Sequence, residues 1–78
     1  MEEELSELID SAINLCKTRI YVTPGILQRA LKIDGSKAEI VFSELEKMGV
    51  LSYFWAREYE GVLISKVDRK KLKEFLIN

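Results

Sequence analysis

Three punctuation marks between residues 22 and 51 constrain this chain most. The stretch reads VTPGILQRALKIDGSKAEIVFSELEKMGVL. Thr23-Pro24 opens it, Lys32-Ile33-Asp34-Gly35 interrupts it, and Gly49 closes it. Threonine is a good N-cap, and proline fits the first helical position, where its missing N–H removes no bond. Val22 and Leu27 are spaced to close a hydrophobic staple across that cap. Helix 2 is therefore expected over about 24–31. After the turn, Asp34 or Ser36 caps helix 3, with Ser36 and Glu39 fitting a capping box. Ala38, Val41, Phe42, Leu45 and Met48 form an apolar stripe at helical spacing, and Gly49 supplies the stop. Helix 3 is expected over about 35–48. Two short helices joined by a tight turn make a helix-turn-helix.

The flanks complete the pattern. Leu5, Leu8, Ile9, Ala12, Ile13 and Cys16 recur at helical spacing, and acids crowd the start, where the helix dipole favours them. Helix 1 is expected over about 3–17. The β-branched run RIYVT, residues 19–23, reads as a short strand. After Gly49 the residues alternate, Leu51, Tyr53 and Trp55 against Ser52, Phe54 and Ala56, and VLISKV returns after the turn EYEG. That is a β-hairpin over about 50–67. Asp68 caps a last helix over about 69–77, with Leu72, Phe75 and Leu76 inward and Arg69, Lys70, Lys71 and Lys73 mostly outward. The expected fold class is α+β: one winged-helix domain over residues 1–78, a helix-turn-helix with a hairpin wing and a short C-terminal helix.

Composition narrows the chemistry. There is one cysteine and no histidine among 78 residues, so neither an internal disulfide nor the usual Cys/His zinc set can form. Cys16 lies on an apolar stripe and reads as a buried small hydrophobe. The four glycines are scattered, so no loop is built to cradle a phosphate. With no histidine base and no activated nucleophile pair, catalysis is not expected, and neither is a cofactor or a metal. No uncharged run approaches the roughly 20 residues of a membrane span. The acidic Met-Glu-Glu-Glu start is the reverse of a secretion signal. A cytoplasmic location is expected.

The net charge is −1, but it is unevenly placed. Five acids, Glu2, Glu3, Glu4, Glu7 and Asp10, fall within the first ten residues. The remainder carries twelve basic against eight acidic residues, a balance that permits a basic face.

LIDSAINLC, LQRALKI, AEIVFSELEKMGVL and GVLI stand in an order and spacing that resemble the gamma domain of the FtsK/SpoIIIE DNA translocases. The resemblance covers about residues 8–64. Leu27-Gln28-Arg29 followed by Ile33 is its most specific piece. The resemblance implies a winged helix that binds short oriented sequences in double-stranded DNA. These 78 residues hold no motor, so at most the recognition module, or a stand-alone relative of it, is expected. Where that family's recognition helix begins with a pattern like Asn-Arg-Ala-Ala-Arg, this chain reads Ser36-Lys37-Ala38-Glu39-Ile40. Lys37 keeps the first cation, and Ile40 replaces the second.

In a helix-turn-helix the second helix enters the major groove. If the apolar stripe of helix 3 faces inward, Ser36, Lys37, Ile40, Ser43, Glu44 and Lys47 face outward. Lys37 and Ser36 are then candidates for phosphate or base-edge contacts, and Glu39 for a cytosine amine. Arg29, Lys17, Arg57, Lys66, Arg69 and Lys70 are candidates for backbone contacts. An opposing reading assigns the same surface to a protein partner or a homodimer. Its anchors are Ile40, the hairpin aromatics Phe54 and Tyr59, and Phe75. The acidic hairpin tip, Glu58-Tyr59-Glu60, favours that alternative.

Overall fold

A computed structural model describes residues 2–53 and 65–76. The order is α1 (Glu2–Cys16), β1 (Tyr21–Val22), α2 (Pro24–Leu31), α3 (Gly35–Lys47), β2 (Leu51–Tyr53), β3 (Ser65–Val67) and α4 (Arg69–Leu76). The fold is α+β in a winged-helix-like arrangement. The sheet is antiparallel with strand order β1-β3-β2. Tyr21 stands opposite Lys66, and Leu51 opposite Val67. The short strand thus joins the outer side of the returning hairpin arm. A further bond from the Val67 N–H to the Ile20 carbonyl (2.9 Å) holds its start.

Local chemistry sets the helix limits. The Thr23 hydroxyl accepts from the Ile26 N–H at 3.1 Å, and Pro24 follows at the first helical position. Val22 and Leu27, the expected staple, are both fully buried. Lys32 ends α2 in the left-handed region, φ 54°. Asp34, rather than Ser36, caps α3, its carboxylate accepting from the Lys37 N–H at 2.8 Å. A helix starting at Gly35 places the donor three residues beyond Asp34, whereas Ser36 already lies inside it. Gly49 (φ 83°) closes α3. Its N–H donates to the Glu46 carbonyl and that of Val50 to the Leu45 carbonyl, both at 3.0 Å, so two orphan carbonyls are satisfied. Asp68 caps α4 through the Lys71 N–H at 3.1 Å.

The core lies between the helices and the inner face of the sheet. Ala12, Cys16, Leu27, Ala38, Val41 and Leu45 are fully buried there, joined by Val50, Leu51, Val67 and Leu72. At roughly 1.5–3 kcal/mol for each large apolar side chain removed from water, this stripe pattern is the main stabilising term. Ser65 is buried too, and its hydroxyl lies 3.4 Å from the Glu46 carboxylate.

Three expectations about the chain's end are corrected. Phe75 and Leu76 do not turn inward; they are 38% and 37% exposed. Among the described residues of this eight-residue helix, Leu72 is the one that is buried. Lys71 is half-buried rather than outward, its stem lying across Gly49. Arg69 also turns toward the body, where it meets the end of α1. No helix among the described residues is long and apolar enough to cross a membrane.

Candidate nucleic-acid interface

The outer face of α3 follows from its inner one. Burial of Ala38, Val41, Phe42 and Leu45 leaves Ser36, Lys37, Glu39, Ile40 and Ser43 exposed. Ser36, Glu39, Ile40, Ser43, Glu44 and Lys47 line one shallow open depression along the helix. Ile40 is 51% exposed, so it sits where the spacing of the stripe puts it.

The electrostatics of this face are mixed. The Lys37 ammonium lies 2.7 Å from a Glu4 carboxylate oxygen, joining the starts of α3 and α1. The hydrogen bond to Lys37, with its positive charge, holds the Glu4 carboxyl below the usual range. The same bond, with the carboxylate's negative charge, raises Lys37 above the usual lysine value. Both groups stay about half exposed, so salt screens the pair and either partner is available to a competitor. Lys47 lies 3.5 Å from Glu44 on the same helix. Glu39 adds a further negative charge. Arg29 and Lys32 at the end of α2 are exposed or half-exposed and enter none of the ion pairs found among the described residues. No sequence pattern marks Lys32 as a site residue. It holds a left-handed backbone conformation that favours glycine.

The other candidate cations lie elsewhere. Lys66 is exposed on the outer face of the sheet between Tyr21 and Ser52. Lys70 is exposed on α4. Arg69 does not project freely. Its Nη1 donates to the Lys17 carbonyl at 2.8 Å and approaches that of Cys16 at 3.4 Å. Its Nη2 donates to the Arg19 carbonyl at 3.1 Å. The Cys16 and Lys17 carbonyls stand at the end of α1, where the helix dipole is negative, and that of Cys16 also accepts from the Arg19 N–H at 3.3 Å. Arg69 is thus a cap for α1, supplied from 53 positions beyond Cys16. No local sequence signal announces it.

Of the alternative anchors, Ile40 and Phe75 are exposed. Phe54, Tyr59 and Arg57 lie outside the described residues. Cys16 is fully buried, and burial pushes its thiol up to about 11, so it is not a poised nucleophile. No group of metal-ligating side chains occurs among the described residues. The chain matches no protein-family model, and no curated protein or solved structure is significantly similar to it.

Proposed function

We propose that this chain is a non-catalytic, cytosolic winged-helix module that binds double-stranded DNA, with α3 laid along the major groove. The observation carrying this reading is the bare outer face of α3, with Lys37 at its start and Arg29 and Lys32 on the helix before it. A helix with one face in the core and the other open is what groove insertion requires. The likeness of LQRALKI and AEIVFSELEKMGVL to the translocase gamma domain supports the same reading by analogy. Lys37 would exchange Glu4 for a phosphate on docking, at little loss, because the pair is solvent-exposed.

A second reading, association with a protein or a second copy, is favoured by one observation. Ile40 is half exposed at the middle of a face whose lysines, Lys37 and Lys47, are each paired to an acid. Ile40→Arg separates the two. On the DNA reading the added cation raises general duplex affinity in fluorescence anisotropy, by up to ~10-fold at low salt. On the association reading it abolishes self- or partner assembly in sedimentation, since an unpaired guanidinium buried in an apolar contact costs on the order of 2–5 kcal/mol. The exposed position keeps the melt within ~0.5 kcal/mol of wild type in both cases. Absence of duplex binding by the wild-type chain at low salt refutes the first reading.

A further inference from the structure

α1 carries a charge gradient. Its 15 residues, about 22 Å long at 1.5 Å per residue, hold Glu2, Glu3, Glu4, Glu7 and Asp10 in the first part and no cation at all. At its far end the sign reverses. Lys17 and Arg19 follow the helix directly. Arg69 bonds to the carbonyls of both and so brings the start of α4 against them. Lys70 and Lys73 extend the same basic segment along α4, Lys73 one turn beyond Arg69. Lys66 stands opposite Tyr21, whose carbonyl lies 3.4 Å from the Arg19 Nε.

Three separate stretches of chain thus deliver Lys17, Arg19, Lys66, Arg69, Lys70 and Lys73, half of the twelve cations, to one end of the molecule. None of these enters an ion pair among the described residues. The nearby acids are otherwise engaged: Asp68 caps α4, and Glu74 lies 3.6 Å from Lys71. Asp10 is about two turns back along α1.

We infer that this basic end is a second phosphodiester-backbone contact, separate from the outer face of α3; the inference rests on the DNA reading. The form of the cluster selects the partner. A compact anion calls for converging donors, but the Arg69 guanidinium already serves the α1 carbonyls. What remains is a spread of flexible cationic groups across two elements and a linker. That suits a line of phosphates, which duplex DNA presents at about one charge per 1.7 Å of axis. The acidic start of α1 on a second copy is a rival occupant. It is the weaker one, because it offers five carboxylates on a single helix, against a continuous row of phosphates at about one charge per 1.7 Å of duplex axis.

The test uses the whole chain and a fluorescein-labelled duplex, titrated by anisotropy between about 50 and 200 mM salt. Lys70→Gln with Lys73→Gln removes two exposed cations while keeping good helix formers. The expected result is a log K against log salt slope shallower by about 1.8, at roughly 0.9 per phosphate, with about tenfold weaker binding at low salt. Lys17→Gln, in the linker after α1, repeats the measurement with a change of about 0.9 should the helical pair fail to fold. Unchanged affinity and slope in these variants, while Lys32→Gln with Lys37→Gln weakens binding, overturns the inference and leaves the DNA reading standing. A wild-type chain that binds no duplex overturns both. Concentration-dependent self-association that the α4 variant abolishes, with duplex binding unaffected, overturns the inference by assigning the basic end to a second copy.

Discussion

Arg69→Ala tests how the fold holds its longest helix. Arg69 makes two contacts well within hydrogen-bond range, at 2.8 and 3.1 Å, and a third at 3.4 Å that is marginal. Each good bond is worth about 1 kcal/mol net. A cation at a helix C-terminus adds about 0.5 kcal/mol. The side chain is exposed, so solvent screening trims the sum to about 2 kcal/mol. For a domain of this size that corresponds to a fall of roughly 8–16 °C in Tm. The conservative variant Arg69→Lys keeps the charge but not the fork, and recovers about half. The assay is urea unfolding followed by far-UV circular dichroism at pH 7, with the m-value checked for constancy. If Arg69→Ala unfolds within about 0.5 kcal/mol of wild type, the contacts are incidental and α1 needs no such cap.

Three further outcomes are expected. Burial keeps the Cys16 thiol protonated to about 11, so a thiol reagent at about pH 8 labels the chain only after unfolding; labelling of the folded protein at a free-thiol rate contradicts this. The same shift sets a pH dependence. The unfolded thiol ionises from its ordinary value of 9.0, the folded one only near 11, so this contribution is intact below 9.0 and is lost as pH rises between the two. Gly49→Ala forces a left-handed residue to carry a side chain 3.2 Å from the Lys71 stem, and lowers stability by about 1–2 kcal/mol in a melt. Lys32→Gly relieves the other left-handed position and stabilises by about 0.5–1 kcal/mol, and on the DNA reading it weakens duplex binding; stabilisation with undiminished duplex affinity separates Lys32 from DNA.

Much of this fold is legible because its limits are written in local chemistry. Thr23-Pro24 gives the first residue of α2, and Gly49 the end of α3, since each acts on a backbone bond within a few positions. The stripe of α3 gives its outer face, and so the exposure of Ile40, by periodicity alone. What is not legible depends on residues far apart in the chain. Periodicity in α4 places Phe75 and Leu76 with Leu72, but says nothing about how much partner surface exists there. The pairing of Lys37 with Glu4 spans 33 positions, and that of Arg69 with Cys16 at the end of α1 spans 53. The first makes a candidate reader's charge conditional, and the second turns a candidate DNA contact into a cap.

These two long-range contacts also fix the sense of the molecule's charge. Lys37 and Glu4 set the start of α3 beside the start of α1. At the other end, Arg69 holds the end of α1 while the adjacent Asp68 N–H donates to the Val50 carbonyl, just past the end of α3. The two helices therefore run in the same direction, with the acids at their common start and the basic cluster at their common finish. In most helix-turn-helix proteins the early residues of the second helix meet the bases. Here that end lies beside a carboxylate, so on the DNA reading a duplex is drawn more strongly to the opposite end. On the DNA reading, backbone attraction and base reading are thus divided between the two ends of the molecule. Electrostatic capture by the basic end comes first, and contact by Ser36, Lys37 and Ile40 follows only as Glu4 releases its lysine.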